Sequence, residues 1–179
     1  MEQVFSTKER IQILEAIIFK TELIGVNAIA TQIRLSKGLV SKYLNILVKQ
    51  GILERHNGKF SIAESSMVKV VKILLNIRSF DTKLFKKYPF IESAGLYGSG
   101  ARGENTEDSD IDIWLKIKKT DDRALASLTS ELNKKAHNIK VLFLTEDKIN
   151  TLKKEDSLFY YSLVFGSIIL YGDKDGIQL

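Results

Sequence analysis

Asp110 and Asp112 stand two positions apart in the run Asp110-Ile111-Asp112-Ile113-Trp114-Leu115, and the glycine-rich stretch Gly98-Ser99-Gly100-Ala101-Arg102-Gly103 precedes them. Side chains alternate along a strand, so carboxylates at i and i+2 point to one face. Hard oxygen donors converging in this way suit Mg²⁺ (or Mn²⁺), which keeps several waters and takes substrate phosphates as further ligands. A glycine-serine turn leaving a strand lets backbone N–H groups and a hydroxyl approach phosphate oxygens with no Cβ in the way. A helix opening at that turn would add its positive end. The implied chemistry is metal-assisted phosphoryl or nucleotidyl transfer. The plain alternative is a polar connection from Gly98 to Ser109, followed by a half-buried strand with both acids on its solvated face.

That chemistry needs strands on either side of the turn. The apolar run Ser93–Tyr97 supplies one and the run ending in Trp114 and Leu115 supplies the next. Trp114 is expected in the core. Thr120 or Asp121 can cap a helix from Asp122 to Ala136 with Leu125, Leu128 and Leu132 inward. A third strand follows at Ile139–Leu144, and Thr145 starts another helix whose first turn carries Glu146 and Asp147, as the helix dipole favours. Ser157–Phe165 is apolar enough to predict a buried helix ended by Gly166. Ile168–Tyr171 is a last strand or the end of that packing unit. Alternating strands and helices predict an α/β layer for this half, with a small mixed sheet and flanking helices.

Gly98-Ser99, the Ala101-Arg102-Gly103 that follows, and Ser109-Asp110-Ile111-Asp112 resemble the signature of the DNA polymerase β-like nucleotidyltransferases, nearest the minimal (MNT-type) branch. Four elements occur in order at the family's spacing, over residues 90 to 117, and the resemblance is looser to the C-terminus. It implies that Gly98 and Ser99 hold the triphosphate of an NTP, with ATP expected, and that Asp110 and Asp112 ligate the metal ions as catalytic residues. Arg102 is a further phosphate contact, or else a partner of Glu104 or Glu107. Active members carry a third carboxylate on the strand after the intervening helix, to ligate a second ion and help activate the attacking hydroxyl. The aligned position here holds Lys140, and no acid lies between Ile139 and Thr145. By the same resemblance, MNT-type proteins act beside a HEPN-type partner as antitoxins, which makes a protein acceptor an expectation.

The front of the chain reads differently. Ser6 with Glu9 has the form of a capping box opening a helix with Ile11, Leu14, Ile17 and Ile18. Asn27–Ile33 can form a second helix with Ala28, Ile29 and Ile33 inward. Ser36 can cap a third, running to Lys49, with Leu39, Val40, Tyr43, Leu44 and Leu47 at helical spacing; Gly51 stops it. Ile52–Arg55 and Lys59–Ile62 are strand-like runs joined across His56-Asn57-Gly58, a strong hairpin signal. This order, and the words SKGLVSKYLNILVKQGILER within it, resemble a winged helix-turn-helix over residues 1–62. The resemblance implies binding to duplex DNA, with Lys37, Ser41, Lys42 and Asn45 facing the groove. Arg55, His56 and Lys59 would meet phosphates. Such modules also serve as protein contacts.

Residues 63–90 form a connecting helical segment, and 91–179 the nucleotidyltransferase-like domain. Within the connection, Glu64–Ser79 predicts a helix apolar over much of its circumference, hence buried between neighbours, joining domains or pairing two subunits as a homodimer. Leu84–Tyr88 adds a short turn and Pro89 marks the next entry. The fold class expected for the whole is therefore α+β / α/β. Lys and Arg exceed Asp and Glu by nine to five in residues 1–62 and by six to two in 63–90, then fall short by twelve to fifteen. A basic front and an acidic back suggest two jobs, the front one facing a polyanion. With no cysteine there is no disulfide framework, thiolate metal site or cysteine nucleophile. No run reaches transmembrane length and no signal-peptide layout opens the chain, so a cytoplasmic protein with no membrane partner is expected. His56 and His137 are isolated and lack metal-ligand spacing. Two readings follow: a Mg-dependent nucleotidyltransferase with a DNA-binding module, antitoxin-like, or a weak or inactive transferase that regulates transcription and senses nucleotide.

Overall fold

The computed structural model describes residues 2–135 and 138–172. The chain folds into two compact units. One comprises the residues up to Lys72 with Thr106–Asp108; the other comprises Ile73–Asn105 and the residues from Ser109 onward.

In the first unit, α1 (Lys8–Ile17), α2 (Val26–Ile33) and α3 (Lys37–Lys49) precede a hairpin of β1 (Leu53–His56) and β2 (Lys59–Ile62). The cap of α1 is Thr7, whose hydroxyl accepts from the Arg10 amide at 3.3 Å; Ser6 instead accepts from the Arg10 side chain at 2.8 Å. The cap is thus displaced by one residue, and the expected Ser6–Glu9 box is replaced by a single Thr7 cap. In α2 the buried residues are Ile29 and Ala30, whereas Ala28 is exposed because it lies on the opposite side of the helix. Ser36 caps α3 as expected, accepting from the Leu39 amide at 3.3 Å. Val40, Tyr43, Leu44 and Leu47 face a core with Ile13, Leu14, Ile17 and Phe60. The buried Tyr43 hydroxyl donates to the Val4 carbonyl at 2.8 Å. Asn57 and Gly58, both at positive φ, make the two-residue turn, with His56 paired to Lys59.

The helix α4 (Ser66–Arg78) starts with Ser65 capping the Val68 amide at 3.3 Å. It is not buried all round. Val68, Val71 and Leu75 are buried, but Met67, Val70 and Leu74 form an outward stripe of 38%, 53% and 38% exposure.

In the second unit, α5 (Thr82–Lys86) leads to a sheet of β3 (Ile91–Leu96), β4 (Ile111–Ile117), β5 (Ile139–Leu144) and β6 (Ile168–Tyr171), with α6 (Gly98–Arg102), α7 (Asp122–Lys135), α8 (Glu146–Glu155) and α9 (Ser157–Gly166) between the strands. The strand order is β5-β4-β3-β6. The β4–β5 pair is parallel and the β3–β4 and β3–β6 pairs are antiparallel, so the sheet is mixed as expected. One face packs Ala94, Leu96, Ile113 and Leu115 against Leu128 and Leu132 of α7 and Phe85 of α5. The other buries Trp114 with Leu144, Ile149, Tyr160 and Leu163. The helix α9 departs from expectation. Leu158, Tyr161 and Phe165 recur on its outer side and are exposed, because only the Tyr160 and Leu163 side faces that core.

Candidate functional site

Gly98 follows β3 after Tyr97; Asp110 immediately precedes β4, the antiparallel neighbour of β3, and Asp112 is the second residue of β4. The Tyr97 amide donates to the Asp112 carbonyl at 3.0 Å, which sets the turn beside the acids. Gly98 has φ +67°, and a Cβ placed on it would lie 2.8 Å from Asp112 Oδ2. Any other residue would be strained in its backbone and would crowd that carboxylate. Ser99 follows, half-buried, in α6, which is only five residues long. The expected helix-end contribution is correspondingly small, because few peptide dipoles align there.

Arg102 closes α6 and is engaged by Glu104, Nε to Oε2 at 2.8 Å, which decides between the two expected partners. Glu107 is occupied elsewhere: its carboxylate accepts from Lys20 at 3.1 Å and from the Thr21 amide at 3.4 Å, within the first unit.

Lys140 lies opposite Asp112 in the parallel β4–β5 register. Residues level with each other on adjacent strands share a face, so Lys140 joins the two acids there. Its ammonium stands 2.5 Å from Asp110 Oδ2. That hydrogen bond raises the lysine's pKa above its ordinary value and keeps it charged. Burial raises the Asp112 carboxyl above its ordinary value, with Lys140 opposing the rise and Asp110 adding to it. Tyr97, half-buried, has its phenol pushed up by burial first and then by the Asp112 charge, so it stays protonated beside the acid.

Among the described residues no group of three or more His, Asp or Glu is placed to hold a metal ion. Two carboxylates remain, and an ammonium already neutralises one of them. The residues therefore do not fit a two-ion centre, which needs further carboxylate ligands. The two acids on their own offer an incomplete donor set.

The sequence matches the family described as Polymerase beta, Nucleotidyltransferase over residues 82–175. The chain belongs to this family. The match spans the turn, both acids and Lys140. No curated protein matches the chain. Similar solved structures include a toxin–antitoxin crystal with AMP-PNP, at 20% identity over 57% of this chain and 78% of that one, TM-score 0.43. A tri-AMPylated Shewanella oneidensis HEPN toxin in complex with MNT antitoxin has 19% identity over 57% and 75%, TM-score 0.39. A nucleotidyltransferase described as putative, from Sulfolobus solfataricus, has 18% identity over 60% and 86%, TM-score 0.38.

Two residues that sequence reasoning missed hold this polymerase β-type turn in place. Asn76 in α4 donates to the Gly100 carbonyl at 2.9 Å and to Asn105 Oδ1 at 2.9 Å; Asn105 returns a bond to Asn76 Oδ1 at 3.2 Å. Both are buried. The one available signal was a lone Asn in an otherwise apolar helical stretch. Trp114 was expected in the core and is fully buried, its indole N–H donating to Ser167 at 2.9 Å.

Of the front-half residues, Lys37, Lys42, Arg55 and Lys59 are exposed, and Ser41 and Asn45 are half-buried. The Asn45 amide donates to the Ser41 carbonyl at 2.9 Å. The Arg55 guanidinium lies 5.4 Å from the Phe60 ring centroid. His56 contacts Ser61 at 2.9 Å within the hairpin, and His137 lies outside the described residues. No helix among the described residues is long and apolar enough to cross a membrane.

Proposed function

We infer that the protein is a nucleotide-responsive DNA-binding regulator, whose polymerase β-type half binds a nucleoside triphosphate, ATP first among them, and transfers it poorly or not at all. The observation that carries this reading is the Lys140–Asp110 pair at the position where transfer chemistry needs a further acid. A protonated lysine cannot accept the proton of an attacking hydroxyl, so the general-base step has no agent at that position. Gly98 and Ser99 would take the phosphates, with Arg102 reaching the outer ones when it leaves Glu104.

The first unit is read as a winged helix-turn-helix, residues 1–62, on a duplex. Its helix order, its Asn-Gly turn and its exposed Lys37, Lys42, Arg55 and Lys59 support this. Regulation by nucleotide is the job that joins the two halves. By family resemblance, the first protein partner to test is of HEPN type.

ATP should raise the melting temperature of the wild-type protein in proportion to occupancy, since a ligand that prefers the native state stabilises it by mass action. Ser99→Glu places a negative charge where the phosphates would sit and should abolish the rise. An equal rise in both proteins would put the nucleotide elsewhere.

A further inference from the structure

We propose that Lys140 is a built-in counter-cation that lets the site bind a nucleoside triphosphate without a divalent metal ion. This rests on the reading of the site as a triphosphate site and goes beyond it by replacing the metal. Three geometric facts carry it. Lys140 is level with Asp112 on the neighbouring strand, its ammonium contacts Asp110, and its side chain is 68% exposed. The ammonium is therefore both anchored and open to solvent.

The charge balance decides what the site can attract. Three carboxylates would repel a triphosphate unless cations neutralised them. Here two carboxylates and one ammonium leave a formal charge of minus one. An ammonium carries three donors, so Lys140 can keep Asp110 and still bond a phosphate oxygen. That bridging position, between carboxylate and phosphate, is the one a metal ion takes when it ligates both. Unlike an ion, the lysine is covalently fixed on β5 and stays when chelators are added. It also supplies no bound water of lowered pKa, which fits binding better than transfer.

The test is ATP affinity of the full-length protein by equilibrium dialysis, in Mg²⁺ and in EDTA, for wild type, Lys140→Met, Lys140→Asp and Ser99→Glu, with melting curves in parallel. Wild type should bind almost equally well in both media. Lys140→Met should weaken binding in EDTA by roughly tenfold or more, the loss expected on removing a charged hydrogen-bond partner. Lys140→Asp should bind in Mg²⁺ and lose binding in EDTA. If wild type loses its affinity in EDTA, the proposal is overturned while the triphosphate reading stands. If Ser99→Glu binds as wild type does, the triphosphate reading fails instead. Should Lys140→Asp not melt cooperatively, the wild-type ratio and Lys140→Met decide by themselves.

Discussion

Asn76 and Asn105 exchange two side-chain hydrogen bonds, at 2.9 and 3.2 Å, and are 4% and 2% exposed. The Asn76 amide also holds the Gly100 carbonyl, so one buried side chain ties α4 both to α6 and to the loop after it. Asn76→Ala removes the buried amide's bonds to the Gly100 carbonyl and to Asn105, which should cost about 1–3 kcal/mol. Denaturant melts of the two single mutants and the double mutant check this. The double mutant should fall well short of the sum, because each single change already breaks the shared pair. Additive losses would show that the two amides act independently.

Gly95 and Gly98 should fail for different reasons. A Cβ on Gly95 would lie 2.4 Å from the Trp114 ring, which is buried and cannot swing aside. Gly95→Ala should therefore destabilise the second unit by about 1–3 kcal/mol through overpacking. Gly98→Ala meets positive φ and the Asp112 carboxylate, a local strain of about 1–3 kcal/mol. It should also reduce ATP affinity, whereas Gly95→Ala should leave the affinity of the folded fraction unchanged. Melting curves with and without ATP separate the two.

Glu107 gives a pH signature. Its pKa is lowered, first by the Lys20 hydrogen bond and also by the Thr21 amide, with burial opposing. A depressed folded pKa means stability that is present above glutamate's ordinary value, about 4.3, and lost as pH falls through the folded value. The side chains are 27% and 37% exposed, so solvent screening keeps the contribution below about 1 kcal/mol. Glu107→Gln should lower stability slightly at neutral pH and make no difference in acid. A constant gap between the two proteins across the acid range would mean that the charge is irrelevant.

For DNA, the salt dependence is the readout. Counterion release predicts a log–log slope of roughly −0.9 per phosphate contact. Arg55→Ala with Lys59→Ala should flatten that slope by roughly two contacts' worth, while Ser41→Ala or Asn45→Ala should shift sequence preference at constant slope. A full-length protein with no salt-dependent affinity for any duplex would make the first unit a protein-contact module.

Much of the local structure was legible because it rests on short-range rules. The Ser36 and Thr145 caps, the Asn57-Gly58 turn and the strand Ile139–Leu144 each need only neighbours in sequence to be specified. Errors appeared where several local solutions compete. Ser6 and Thr7 can both cap α1, and the helix begins where Thr7 allows it. The apolar content of α4 and α9 was visible, but which side finds a partner was not, so Val70, Leu158 and Phe165 are exposed against expectation.

The sequence by itself determined the order of the elements, the family, and the setting of Asp110 and Asp112 two residues apart at the entry to one strand. Those depend on residue spacing and on side-chain alternation, which are properties of a single segment. The resemblance also led to the expectation that Lys140 stands where active family members carry a further acid. Only the tertiary structure decided what that lysine contacts. Strand register brings it level with Asp112, and a 2.5 Å contact gives it to Asp110. The same holds for Asn76 with Asn105, twenty-nine residues apart. Contacts of that range depend on how the sheet pairs and how α4 packs, and no periodicity within one segment encodes them.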